Sequence, residues 1–345
     1  MDRPPDNICL FRLSALGDAT HTVPVVNALR TAFPTARLTW IIGKLEHRLL
    51  GQLEGVDFIV FDKRGDLPAF RELRQRLHSR RYDVLLHMQV ALRANLLSRL
   101  VKAPVRLGWD KDRSRDRHTW FTNCQVAGVP FQHQVQGFLE FPRALGIEVD
   151  TPVWNLPISD IDHAWAAEHM PGDQPTLLIS PCSSHPLRNW MDERYAAVAD
   201  HAVHELGMRV VLSGGPGELE RRSAASIESL MSAPATNLVG KDTLTQLLAM
   251  LQRATVVLTP DSGPAHMASA VGTPVVGLHA ATWSIRSGPY RSLDLCVDQY
   301  PEAARRFRNK EPEALRWGHR IEEPGVMELI EVDEVIGQLE RAINQ

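Results

Sequence analysis

The chain has 345 residues, 44% hydrophobic and 23% charged, with a formal net charge of −3. That length favours two domains over a single core. No apolar run reaches the roughly 18 residues a membrane span needs. Four scattered cysteines without C-x-x-C spacing argue against zinc and against a disulfide framework, and suit a reducing cytosol. The N-terminal Met-Asp-Arg-Pro-Pro-Asp lacks the basic and apolar segments of a secretory leader, so a cytoplasmic protein is expected. Charge is uneven along the chain. Residues 1–155 hold 22 Lys and Arg against 16 Asp and Glu, and the remainder holds 16 against 25. A basic run usually means a solvated helix face, but it also fits a surface that recruits an anionic partner.

The first apolar run, Ile8–Leu13, reads as a buried strand, and "RLSALGDATHTVP" at residues 12–24 carries it into a turn. A helix is expected over Val23–Phe33, with Thr22 as its cap and Pro24 in its first turn. That would leave Asp18, in the turn, without capping duty. Strands at Leu38–Ile42, Phe58–Phe61 and Val84–Met88 follow, with helices at Leu67–Ser79 and Leu92–Val101. Residues 146–160 carry prolines and little periodicity and read as a linker. Beyond it, strands at Thr176–Ser180, Val210–Ser213, Val256–Thr259 and Pro274–Leu278 alternate with helices at Arg194–Leu206, Glu218–Leu230 and Leu244–Arg253. A last helix, Val332–Ile343, is expected to pack at the domain junction.

Strands apolar on both faces, each followed by a helix, mean a parallel sheet covered on both sides. The pattern occurs twice, so the expected class is α/β, two doubly wound Rossmann-like domains facing across a cleft. They cover residues 1–155 and 156–330, with residues 331–345 as a terminal helix. Ligands in such sheets bind at the carboxyl ends of the strands.

Three loops of the second half draw attention. In "TVVLTPDSGPAHMASAVGTPVVGL", residues 255–278, a strand runs into Asp261, Ser262 and Gly263, then a short helix with Pro264 at its start and Gly272 past its end. The free N–H groups of such a helix start suit a phosphate, although a well-capped helix needs no ligand. "PCSSHPLRNW", residues 181–190, offers two hydroxyls and a guanidinium able to grip phosphate oxygens; otherwise it is a surface loop with Trp190 plugging the core. "SGGPGELE", residues 213–220, is glycine-rich but lacks the spacing of a dinucleotide fingerprint.

In the order and spacing of these motifs, over essentially its whole length, the chain resembles the ADP-heptose–lipopolysaccharide heptosyltransferases, glycosyltransferase family 9. The resemblance implies the GT-B architecture, with acceptor in the N-terminal half and nucleotide-sugar in the C-terminal half. It implies that Asp261, Ser262, Gly263 and His266 line the donor diphosphate and sugar, and that Ser183, Ser184 and Arg188 hold phosphate oxygens. Glu218 or Glu220 would reach the ribose, and Lys241, Thr243 and Leu244 would flank the base. The chain departs from the family in having serine at 183, 184 or 262 where threonine is usual, and Arg188 where lysine is usual.

Inverting glycosyl transfer needs a base within hydrogen-bond reach of the acceptor hydroxyl, and the resemblance makes Asp18 that base, with N-capping as its ordinary alternative. His21 is a weaker candidate for orienting it or touching acceptor. Lys63, Arg64, Arg93, Arg113, Arg115 and Arg117 are candidates for binding the carboxylates and phosphates of a lipopolysaccharide core, and a peripheral contact with an anionic inner membrane is consistent with them. No cofactor, metal or nucleic acid is expected; Asp110-Lys111-Asp112 spells D-x-D but reads as a solvated charge run. Transfer of another nucleotide-activated sugar, or a non-catalytic nucleotide-sugar or glycan-binding role, are the alternatives.

Overall fold

The computed structural model describes residues 3–63, 65 and 67–344; the expectation for Arg64 lies outside these described residues. The chain divides into two compact units, Met1–Pro157 and Ile158–Gln345, so the division falls inside the 146–160 linker.

The first unit runs β1 (Asn7–Phe11), α1 (Leu16–Ala32), β2 (Arg37–Gly43), α2 (Lys44–Leu50), β3 (Val56–Phe61) and α3 (Leu67–His78). It continues through β4 (Val84–His87), α4 (Leu92–Ser98), β5 (Val105–Gly108), β6 (Cys124–Gln125) and α5 (Gln134–Arg143). All strand pairs are parallel, in the order β3-β2-β1-β4-β5-β6. Ile8, Cys9, Leu10 and Phe11 of the central strand are all buried, as a sheet covered on both faces requires.

The second unit runs α6 (Asp160–His169), β7 (Thr176–Ile179), α7 (Asp192–His204), β8 (Arg209–Leu212), α8 (Glu218–Leu230), β9 (Thr236–Asn237) and α9 (Leu244–Arg253). It ends with β10 (Val256–Pro260), α10 (Gly263–Val271), β11 (Val275–His279), α11 (Ser284–Ser287), β12 (Val297–Asp298), α12 (Tyr300–Arg308) and α13 (Val332–Ile343). Its parallel sheet has the order β12-β11-β10-β7-β8-β9. Numbered from its own first strand, this is the topology of the first unit again. Val335, Leu339 and Ala342 of α13 join the second unit's core, together with Tyr195 and Val198 of α7.

In each sheet the winding direction reverses between two central strands, β1 and β4 in one and β7 and β10 in the other. Loops at the carboxyl ends of these pairs splay apart and leave a crevice. The four loops concerned hold Asp18, Gln89, Arg188 and Asp261.

Two local expectations are corrected. Helix α1 starts at Leu16, not Val23, so Thr22 is internal and caps nothing. Its hydroxyl bonds back to Asp18 O at 2.9 Å, as Thr20 does to Leu16 O at 2.9 Å. Asp18 is therefore in the first turn, and its Oδ2 accepts the Ala15 N–H at 3.4 Å. The capping duty denied to Asp18 is one it performs. The Asp110–Asp112 run is not solvated throughout: Asp110 is 9% exposed and accepts the N–H groups of Asp112 and Arg113 at 3.0 and 3.3 Å. Short β5, β6, β9 and β12, and helices α2, α5, α6, α11 and α12, were beyond reach of periodicity because their runs are brief or polar.

Candidate active site

In the first unit, the loop after β1 is built around Asp18. Arg12 forms an ion pair with Oδ2, and Gln134, at the start of α5, donates to Oδ1. Arg12 is itself fixed by a 2.5 Å bond to Met88 O and lies 5.3 Å above the Phe138 ring. Gln89, from the loop after β4, accepts the Leu13 N–H at 2.7 Å and donates to Ser14 at 3.1 Å. The carboxylate is held by Arg12, Gln134 and the Ala15 N–H, yet 20% of the side chain stays exposed. A fixed, accessible carboxylate can accept a proton from a docked hydroxyl.

His21 is 3% exposed and sits edge-on to His133 and Phe138, at 6.3 and 6.1 Å, so it faces the interior of the unit. The basic residues spread over several loops. Lys63 pairs with buried Glu46 at 2.8 Å. Arg93 donates to Lys63 O and Gly65 O at 2.6 and 2.7 Å. Arg113 pairs with Asp110 and lies over Trp109. Arg115 is exposed. Arg117, in the left-handed region at φ 59°, stacks over the largely exposed Trp120. Lys63 and Arg113 already have carboxylate partners; Arg93, Arg115 and Arg117 keep exposed positions.

Beneath that arginine loop lies a buried cluster. His87 Nε2 and His118 Nδ1 both meet Asn95 Oδ1, at 2.9 and 2.8 Å, and His118 Nε2 accepts the Trp109 N–H at 3.2 Å. Asn95 donates in turn to Val90 O and Asp116 O. The two rings are neutral, because burial pushes His87 well below the usual histidine range and His118 down to about 4.

In the second unit, the loop after β7 turns Arg188 inward. It is 7% exposed, donates to Ser184 at 2.7 Å and lies 3.4 Å from the Glu322 carboxylate, too misaligned for a hydrogen bond. Burial lowers its proton affinity while Asp261 raises it, so guanidinium and carboxylate share one electrostatic site. Ser183 folds over its own loop, its hydroxyl donating to His185 O at 3.0 Å. Trp190 plugs the core, 3% exposed, its indole bonded to Ile330 O at 3.1 Å.

The loop after β10 supplies the rest. Ser262 caps α10 by position, but its hydroxyl bonds Thr259 at 2.8 Å and not the helix. The first turn therefore keeps N–H groups directed at the loop, the arrangement that suits a phosphate. Gly263, not Pro264, is the first helical residue; Gly272 ends the helix at φ 90°, where a side chain would be strained. Asp261 accepts from Ser287 at 3.2 Å and lies 3.6 Å from His266 Nε2. Burial opposes its ionisation, but the His266 hydrogen bond and the charges of His279 and His266 hold its carboxyl well below the usual range. His279, 1% exposed, touches Thr282 at 3.3 Å.

The expected nucleoside residues follow β8 and β9. Glu220 curls back over the glycine loop, so close that a Cβ at Gly217 would stand 2.4 Å from Oε2, while Glu218 is exposed. Lys241 donates to Asn237 O at 2.6 Å. Thr243 is the cap of α9, its hydroxyl accepting the Gln246 N–H at 3.2 Å, and Leu244 is the first helical residue. Between them burial pushes the Asp242 carboxyl up to about 6.

Arg12, Gln89, Gln134, Thr282, Ser287 and Glu322 were not foreseen. Arg12 lay inside the opening motif, directly after the apolar residues Ile8–Phe11, a readable signal. Gln134 lies 116 residues from Asp18, and no local pattern connects them.

Two doubly wound parallel sheets of one topology are the architecture of the GT-B glycosyltransferases. The family model of glycosyltransferase family 9 (heptosyltransferase) matches residues 70–315. A lipopolysaccharide core heptosyltransferase, OpsX of Haemophilus influenzae, is 36% identical over 98% of this chain and 97% of its own. The chain belongs to glycosyltransferase family 9. Its fold is similar to a crystal structure of a family 9 glycosyl transferase from Veillonella parvula, with a TM-score of 0.79, 21% identity, and 98% and 97% of the two chains covered. It is also similar to E. coli heptosyltransferase WaaC with ADP-2-deoxy-2-fluoro heptose, with a TM-score of 0.64, 18% identity, and 88% and 99% covered.

Proposed function

We propose that this glycosyltransferase moves heptose from ADP-heptose to the lipopolysaccharide inner core with inversion, without a metal, and with Asp18 as general base. The observation that carries the reading is the Asp18 carboxylate, gripped by Arg12 and Gln134 at a sheet switch point and still open to solvent. The acceptor hydroxyl attacks the anomeric carbon as the bond to the diphosphate breaks. Asp18 takes the hydroxyl proton, and ADP leaves with the bonding electron pair. Arg188 and the start of α10 stabilise the charge growing on that leaving group, so the scheme requires no metal. The donor assignment is supported by the WaaC complex with an ADP-heptose analogue, and the acceptor by the likeness to OpsX, a lipopolysaccharide core heptosyltransferase.

Asp18→Asn and Asp18→Ala test the base. Transfer is expected to fall by about 10²–10⁴ with ADP affinity retained; normal turnover in either variant removes Asp18 from the role. Full activity in excess chelator is expected, and a strict metal requirement rejects the scheme. A melting-temperature screen against ADP-, GDP- and UDP-sugars separates ADP-heptose from the alternative donors. A binding-only member would show ADP affinity with no turnover.

A peripheral place on the cytoplasmic face of the inner membrane also belongs to this reading. No helix of the described residues is long and apolar enough to cross a membrane. Leu92, Leu96 and Trp120 are 51%, 56% and 67% exposed, close in sequence to Arg93, Arg99 and Arg117, a mixture that suits an anionic bilayer surface. Co-flotation with anionic but not zwitterionic vesicles is expected; equal behaviour with both rejects it.

A further inference from the structure

The two oxygens of the Asp18 carboxylate are not equivalent. An ionised carboxylate oxygen offers about two lone-pair sites. Oδ2 accepts the Arg12 guanidinium through Nη2 and, at 3.4 Å, the Ala15 N–H, so both of its sites are taken. Oδ1 accepts the Gln134 amide, and among the described residues no second donor reaches it. One site on Oδ1 is therefore left, on a side chain that is 20% exposed.

The cation that sets this asymmetry is itself fixed by three elements. Its backbone is tied to β2: the Arg12 N–H donates to Ile41 O at 3.2 Å, and its carbonyl accepts the Trp40 indole at 3.1 Å. Its side chain, 11% exposed, donates through Nη1 to the carbonyl of fully buried Met88, one residue past β4. The guanidinium also lies over Phe138 of α5, the helix that begins with Gln134. Arg12 thus reaches Asp18 from a position that β2, β4 and α5 determine together.

A guanidinium beside a base has two opposed effects. Its charge favours the ionised carboxylate and so weakens the pull on a proton. Its rigid fork fixes where the reacting oxygen sits, and a misplacement of about 1 Å can cost about 10²-fold in rate. Pairing through Oδ2 while Oδ1 stays open secures the placement and keeps the cation off the reacting atom. We propose that Arg12 is a positioning residue for transfer, locking Oδ2 so that Oδ1 is the oxygen that takes the acceptor's proton. That proton passes from the acceptor hydroxyl to Oδ1, the O–H electron pair forms the new bond to the anomeric carbon, and the pair of the old bond leaves with the diphosphate. The inference rests on the assignment of Asp18 as base.

The test compares full-length wild type, Arg12→Gln and Arg12→Lys with ADP-heptose and a lipopolysaccharide inner-core acceptor, each protein checked by its melting temperature. Arg12→Gln is expected to lose about 10–100-fold in kcat, with acceptor KM and ADP affinity within roughly twofold of wild type. Arg12→Lys keeps the charge but has one nitrogen for two partners, so its kcat should fall between the others. In an Asp18→Asn background, Arg12→Gln should change the residual rate by less than about twofold, because no base is left to position. Normal kcat in Arg12→Gln, a loss confined to acceptor KM, a lysine variant no better than glutamine, or a full further loss beside Asp18→Asn each overturns the inference. If Arg12→Gln does not fold, Gln134→Leu takes its place. It keeps the ion pair and removes the donor to Oδ1, so kcat should again fall at constant KM, and a normal kcat overturns the role of Oδ1. If Asp18→Asn itself turns over normally, the base assignment is wrong; if it is impaired and the Arg12 variants are not, only the positioning role is.

Discussion

The indole N–H of Trp154 donates to the Thr20 carbonyl at 3.0 Å. Pro24 lies four residues beyond Thr20 inside α1 and has no N–H to give it. A tryptophan from the segment that closes the first unit thus replaces the helical bond that proline removes. Both partners are buried, so the carbonyl has no recourse to water.

Trp154→Phe keeps most of the apolar contact and deletes the donor. It is expected to destabilise the first unit by about 1–3 kcal/mol, the cost of a buried unsatisfied carbonyl. Pro24→Ala in that background should recover part of the loss, because an alanine N–H can bond Thr20 O. Chemical denaturation of the four proteins measures the coupling, and strict additivity would sink the account.

The neutral His87–Asn95–His118 cluster gives the first unit an acid limit. A histidine whose folded pKa is depressed stabilises nothing by charging; its stability is intact above the unfolded value near 6.5 and lost as pH falls toward about 4. Protonation would also place two cations side by side, with ring centroids 4.6 Å apart. His118→Gln should flatten the fall in stability between pH 6.5 and 4, read from melting temperatures across that range. An unaltered slope would show that other groups set it.

Asp242 runs the opposite way. Its raised carboxyl is protonated in the folded chain up to about 6 but ionised in the unfolded chain above 3.8. Stability is therefore unaffected below pH 3.8, falls as pH climbs to 6, and stays reduced beyond it. Asp242→Asn is expected to stabilise the second unit by about 1–3 kcal/mol at pH 7.5 and not at all below pH 4. Equal effects at both pH values would contradict the burial argument.

Arg188 is the buried cation of the proposed donor site, and its replacement separates charge from shape. Arg188→Lys retains the charge but loses the fork that reaches Ser184. Arg188→Ala should weaken ADP binding by about 2–4 kcal/mol, and Arg188→Lys by less than half of that. Calorimetry with ADP decides it; unchanged affinity in the alanine variant would move the phosphate elsewhere.

The strands β1, β2, β7, β8 and β10 were legible because they are apolar on both faces, and a double series of such strands with intervening helices leaves few alternatives to paired parallel sheets. Helices α8, α9 and α13 were legible to the residue, since their caps and apolar periodicity agree. The start of α1 was not. Thr22 looks like a helix cap in sequence, and Pro24 like a first-turn residue; Trp154, some 130 residues away, makes a continuous helix possible. The loops proposed to hold phosphate stood out in sequence because a helix start, its glycine and its flanking hydroxyls are local chemistry.

What the sequence determined by itself was the α/β class, the pairing of two similar halves and the loop residues bearing charge and hydroxyls, all set by short-range patterns of burial and capping. Only the tertiary structure decided what those residues do to one another. Asp18 is held by Arg12 and Gln134, and Arg188 shares its field with Asp261 and Glu322. Such relationships depend on strand order, and strand order is set by which apolar faces bury one another across the whole unit. No window of sequence contains that information.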